Sequence, residues 1–199
     1  MRLLSTKQGI ATATGAVLQA AFKGHYVEQL SQGWETLKEN GKVAEDQFTC
    51  ETITEMADFL DSMKVADQTR FDVAQNFFNQ CCRNDRTENE RHLIRQLLIL
   101  IRELSSEEIR ILRAAYELNK ETANAQEKPT GFDEWSLVVA KKLGHNLRHL
   151  VARYDEHMIS LSLLGYRTLS DKSGLSYIGN YRLTDLGLRF CSILEEEPN

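Results

Sequence analysis

Proline is nearly missing from this chain of 199 residues; only Pro129 and Pro198 occur. Proline removes a backbone donor and clashes with the preceding helical turn, so its scarcity lets long stretches run helical. Long apolar runs are missing too. No stretch of about twenty apolar residues exists, and no membrane span is expected. Cysteine is scarce. Cys50, Cys81, Cys82 and Cys191 form no C-x-x-C pair, and adjacent Cys81 and Cys82 make a poor start for a disulfide framework. Reduced thiols and a cytoplasmic setting are the expectation. A strong excess of one charge is also lacking. The formal net charge is −5, from 24 basic and 29 acidic residues. Divided after Leu104, the N-terminal part carries 12 basic and 15 acidic side chains (net −3) and the C-terminal part 12 and 14 (net −2). Neither part coats nucleic acid by bulk charge, which leaves only a local basic face open. G-x-S-x-G, P-loop and G-x-G-x-x-G patterns are absent, so no cofactor is expected and an enzyme is not the leading reading.

Apolar residues make up 42% of the chain and charged residues 27%, enough for a packed core. Residues 1–104 read as a helical region of about five helices, a surface for oligomerisation or a partner. Gly9 to Phe22, rich in Ala, Thr and Gly, is read as a small-residue helix rather than a signal peptide. His25 to Asn40 closes at Gly41. Thr52-Ile53-Thr54-Glu55 has the capping-box pattern and is expected to open a helix toward Lys64. Phe71, Ala74, Phe77 or Phe78, and Cys81 or Cys82 recur at helical spacing from Gln68 to Cys82, a pattern of core packing rather than of a ligand box. Thr87-Glu88-Asn89-Glu90 opens a helix through Leu93, Ile94, Leu97, Leu98, Leu100, Ile101 and Leu104 whose apolar residues cover more than one face, so a central position is expected.

Residues 105–199 follow a different order. Ser105 and Glu108 form a capping box for a helix that buries Ile109, Leu112, Ala115 and Tyr116; residues 119–131 read as a linker. A second helix spans Trp135 to Leu143 and stops at Gly144, with small Ala140 allowing close approach of a neighbour. A third runs from Asn146 to Leu164 with Leu147, Leu150, Val151, Tyr154, Met158 and Leu161 as its inward stripe. Tyr166–Leu169 and Tyr177–Leu183 read as a hairpin around Asp171-Lys172-Ser173-Gly174, and Leu183-Thr184-Asp185-Leu186-Gly187 opens a last helix.

This succession, from Val139-Ala140-Lys141-Lys142-Leu143-Gly144 through Leu163-Leu164-Gly165-Tyr166 to Leu183-Thr184-Asp185-Leu186-Gly187, resembles winged-helix proteins of the MarR type. The resemblance implies a mainly α chain: a helical N-terminal region and a C-terminal winged-helix-like domain with a small β-hairpin. Phe77-Phe78 with Cys81-Cys82, Leu93 through Ile111, and the Leu183–Gly187 stretch also resemble bacterial Abi-alpha-like proteins, a family named for abortive phage infection. That resemblance implies a defence-associated context and carries no catalytic residues.

Lys141, Lys142, His145, Arg148, His149 and Arg153 cluster on the turn and the front of the third helix, the recognition position of a winged helix, where Arg and His could meet base edges and Lys phosphates. Lys172 and Arg182 could touch the adjacent backbone from the wing. Asp155 and Glu156 follow at once and would repel phosphates. The leading expectation is a non-enzymatic bacterial regulator or defence-associated protein that binds double-stranded DNA. The alternative is a protein-interaction module, binding itself as a homodimer or another protein. Two further readings are weaker. His145 and His149 stand four apart with His157 beyond, but no Glu completes H-E-x-x-H and no cysteine is near, so no metal is expected. Arg86 and His92 are similar to the R-x(4–6)-H element of HEPN ribonucleases, in which both act on RNA phosphate; a capped, solvated helix start has the same residues.

Overall fold

The computed structural model describes residues 25–39, 41, 50–62, 67–121, 132–144, 148–166, 170–171, 174–175 and 180–196. The expected Gly9–Phe22 helix, most of the 119–131 linker, His145 and Lys172 lie outside these residues. The described chain is mainly helical and divides into two compact units, Met1–Glu103 with Glu196–Asn199, and Leu104–Glu195.

The first unit contains α1 (His25–Glu39), α2 (Cys50–Ser62), α3 (Gln68–Cys81) and α4 (Glu88–Glu103). Gly41 stops α1 with φ +64°, its N–H reaching the Lys38 carbonyl at 3.0 Å. Tyr26 of α1 lies against Phe71 of α3 with ring centroids 4.4 Å apart, and its hydroxyl accepts from the Asp67 N–H. Asp67 caps α3 by accepting from the Arg70 N–H at 3.1 Å. Met56 and Phe59 of α2, Phe71, Val73, Ala74, Phe77 and Phe78 of α3, and Ile94, Leu97, Leu98 and Ile101 of α4 form the core. Each such large side chain contributes about 1.5–3 kcal/mol by leaving water. The Arg70 guanidinium donates to the Ile101 and Arg102 carbonyls at 3.3 and 2.9 Å. A cation therefore satisfies carbonyls that the end of α4 leaves without helical partners.

One expected helix start is corrected. Thr52 is not a cap, because α2 has already begun at Cys50. The Thr52 hydroxyl is buried 3.6 Å from the Cys81 sulfur, and Glu55 meets Arg102 at 3.7 Å. The Thr87 box, in contrast, closes as its spacing requires: Glu90 accepts from the Thr87 N–H at 2.9 Å and Thr87 Oγ1 from the Glu90 N–H at 3.3 Å. Burial holds the Cys81 and Cys82 thiols well toward their protonated form, so neither is a ready nucleophile.

The second unit contains α5 (Ser106–Glu121), α6 (Phe132–Lys142), α7 (Arg148–Ser160), two-residue strands β1 (Ser170–Asp171) and β2 (Gly174–Leu175), a 3₁₀ turn (Asn180–Arg182) and α8 (Asp185–Glu195). α5 packs against α6, α7, α8 and the 3₁₀ turn, burying Ile109, Ile111, Leu112 and Ala115. α6 packs on α7 and buries Trp135, Val139 and Ala140. Gly144, at φ +82°, ends α6 by donating to the Lys141 carbonyl at 2.9 Å. β1 and β2 pair antiparallel through Ser170 with Leu175 and Asp171 with Gly174, and Leu164 bridges Leu183 in the same sense.

The third helix is shorter than its sequence pattern. It stops at Ser160, where Ser162 takes a left-handed φ of +59° and the Leu163 and Leu164 N–H groups fold back onto the Met158 carbonyl. This turn drives Leu163 and Leu164 into the core. Thr184 caps α8 by accepting from the Gly187 N–H at 3.0 Å.

The α5 box has a measurable consequence. Glu108, 2% exposed, accepts from the Ser105 N–H and hydroxyl at 2.8 and 2.7 Å, while Ser105 Oγ accepts from the Glu108 N–H at 3.3 Å. Ser105→Ala removes this cap and should lower stability by about 1 kcal/mol. Urea unfolding checks it: the midpoint should fall while the denaturant slope stays constant.

Candidate nucleic-acid interface

The basic residues singled out in the sequence do not share one fate. Lys141 is exposed at the end of α6, and Arg148, His149 and Arg153 are exposed on the first two turns of α7. The Arg153 guanidinium sits 5.7 Å from the Tyr154 ring centroid. Lys142 is exposed as well, but its Nζ lies 2.6 Å from Glu121 and 3.2 Å from Glu117, both at the end of α5. These carboxylates raise the proton affinity of the ammonium, Glu121 first and then Glu117. Lys142 must exchange them for any phosphate it binds.

Arg182 requires a correction. It is 5% exposed and cannot reach an external backbone as a wing residue while the fold is intact. Its Nη1 donates to Asp155 at 2.7 Å, and its Nε and Nη2 donate to the Gly165 carbonyl at 3.2 and 2.8 Å. Its guanidinium carbon stands 4.7 Å over the ring of Trp135, whose Nε1 donates to the Tyr181 carbonyl at 2.7 Å.

The same contact reverses the expectation for Asp155. The carboxylate is fully buried and neutralised by Arg182, so it does not face a phosphate. Of the two acids in α7, only Glu156 is exposed. The inward face of α7 is Val151, Asp155 and Met158, turned by about one position from the expected stripe. Leu150 is consequently 38% exposed. Sequence reading missed this node because Asp155 looked like a surface acid. Its spacing from Val151 and Met158, i+4 and i−3, was the available signal.

The arrangement runs against the helix macrodipole. α7 has no acid in its first turn, where the helix end is partially positive, and places Arg148 and His149 there. The dipole disfavours a cation in that turn by about 0.3–1 kcal/mol and favours an anion there.

His157 is held elsewhere: its Nδ1 lies 2.5 Å from the capping carboxylate of Glu108. Among the described residues, no three His, Cys, Asp or Glu side chains are grouped to hold a metal ion. Arg86 and His92 meet different surroundings. The Arg86 guanidinium is half-buried, donating to Gln80 Oε1 at 2.7 Å and to the Glu196 carboxylate, whereas His92 is exposed on α4. No described helix is long and apolar enough to cross a membrane.

Comparison with protein-family models, with curated proteins and with solved structures found no match.

Proposed function

We propose that residues 105–195 form a winged helix that binds double-stranded DNA without catalysis, through Lys141, Arg148, His149 and Arg153, with Lys142 recruited from its carboxylates. The carrying observation is the first turn of α7, basic, exposed and without an acid. Phosphate oxygens would meet both the side chains and the positive end of the helix. The inward turn of Asp155 supports the reading by removing one of the two acids expected to oppose it. The bridge between Leu164 and Leu183 supports a hairpin leaving and rejoining the base of α7. His145 and Lys172 belong to the proposed surface by sequence position, and Arg182 is left out of it.

Binding to mixed duplex DNA should weaken as salt rises, with a slope of about −0.9 per phosphate contact. Arg148→Glu should weaken it about tenfold or more at fixed salt, because it removes one contact and adds a repulsion. Fluorescence anisotropy with a labelled duplex measures both. Affinity unchanged by Arg148→Glu sinks the proposal.

A protein partner is the second reading, favoured by two large apolar groups in the open, Leu150 at 38% and Tyr166 at 74%. Complex formation by such a surface falls on Tyr166→Ala and is much less sensitive to salt than duplex binding. The ribonuclease reading has less support, since Arg86 is engaged with Gln80 and Glu196. The regulatory or phage-defence setting rests on the sequence resemblances, and phage plating with and without the expressed protein tests it.

A further inference from the structure

Glu117 and Glu121 stand one helical turn apart at the C-terminal end of α5. The negative end of a helix disfavours carboxylates, so neither is placed where it helps its own helix. The cation of that turn, Lys120, is engaged elsewhere: its ammonium reaches Glu195 of α8 at 2.7 Å. Both carboxylates turn instead to one group of α6, with Lys142 Nζ 2.6 Å from Glu121 and 3.2 Å from Glu117. Lys141, its neighbour in the chain, is exposed and makes no ion pair among the described residues. Of two consecutive lysines at the edge of the basic face, one is therefore occupied. One ammonium and two carboxylates leave a net charge of −1 there, which repels an incoming phosphate. All three groups lie at the surface, where such a pair adds little to folding stability. Its larger effect is on what else the ammonium can bind, because carboxylate and phosphate oxygens compete for the same donors.

We propose that Glu117 and Glu121 are an internal competitor for DNA phosphate: they occupy Lys142 in the free protein and hold duplex affinity below what the basic face of α6 and α7 would otherwise give. The proposal rests on the DNA-binding reading. Neither glutamate touches the duplex. Contact between Lys142 and a phosphate comes only by displacing both carboxylates, so the acidic end of α5 sets how many cations the duplex meets.

The test compares Glu117→Gln/Glu121→Gln with the unaltered full chain, each with Lys142 in place and with Lys142→Gln. Affinity for a labelled mixed-sequence duplex is read by anisotropy over a range of salt. Plain repulsion by the two acids is the same in both backgrounds, whereas competition requires Lys142. Neutralising the glutamates should therefore tighten binding about threefold more with Lys142 present than with Lys142→Gln. The salt slope should steepen by about 0.9, one further phosphate contact, only when Lys142 is present. Equal gains in the two backgrounds, or no gain in either, overturn the competition. No duplex binding by any of the four proteins overturns the DNA reading and, with it, this role of the glutamates. The pairing itself is read without DNA. Reductive methylation attacks the neutral amine, which the carboxylates make scarcer at Lys142. Mass spectrometry should find Lys141 labelled about threefold faster than Lys142 in the wild type and at a similar rate in the double glutamine variant. Equal labelling of the two lysines in the wild type overturns the occupied state of Lys142 whatever the DNA result.

Discussion

Arg182→Met, made alone, is expected to destabilise the protein by about 3–5 kcal/mol, far more than a surface arginine could. The cost comes from what remains. Asp155 is fully buried, and removing the guanidinium takes away the cation that pairs its carboxyl group. The Gly165 carbonyl loses both donors, and Trp135 loses the cation over its ring. Asp155→Leu alone should cost a similar amount by stranding the arginine. The two together should cost much less than their sum, because the apolar pair leaves neither charge uncompensated. Chemical denaturation of the two single variants and the double variant forms a closed cycle. Additive losses would contradict the coupling described for this pair.

Gly187→Ala should be the next most damaging change, at about 3 kcal/mol, the upper end for overpacking. A Cβ at this position would stand 2.2 Å from the Leu163 carbonyl oxygen and 3.2 Å from Leu183. The nearest obstacle is backbone, so no rotamer change relieves the clash. The Leu163 oxygen also accepts from the Thr184 N–H and approaches the Thr184 hydroxyl, so displacing it disturbs the cap of α8 and the segment after α7 together. The same exchange at Gly144, where a Cβ meets nothing within 4 Å, should lose only the left-handed preference of about 1 kcal/mol. Thermal melting of the two alanine variants should show the larger drop for Gly187, and equal drops would refute the close-approach account.

Both changes act on the same region, the exit from α7 and the entry to α8, and bear on the proposed interface only through it. Lys141, Lys142, Arg148, His149 and Arg153 are exposed, and exposed substitutions usually change stability by only about 0.5 kcal/mol. Loss of binding with little loss of stability is the signature expected of Arg148, and loss of stability the signature of Arg182.

Much of this protein is local in origin and legible without a structure. The Thr87 and Ser105 boxes close because all their partners lie within three residues. The stop of α6 at Gly144 depends on one residue's freedom at positive φ. The apolar stripe of α4, with Ile94, Leu97, Leu98 and Ile101, needs only the helical period to declare its buried face. By contrast, Thr52 has the same capping pattern as Thr87 yet serves the core, because Cys81, 29 residues away, offers its hydroxyl a partner. α7 ends four residues before its apolar pattern does, because Leu163 and Leu164 are needed in the core beside Leu183 and Gly187. In the candidate site the basic character of the α6–α7 turn belongs to the sequence. Which charges face outward does not. Asp155 and Arg182 are 27 residues apart and read separately as a repulsive acid and a wing cation. The tertiary fold brings them together and removes both from the surface, since a buried charge is tolerated only against its opposite.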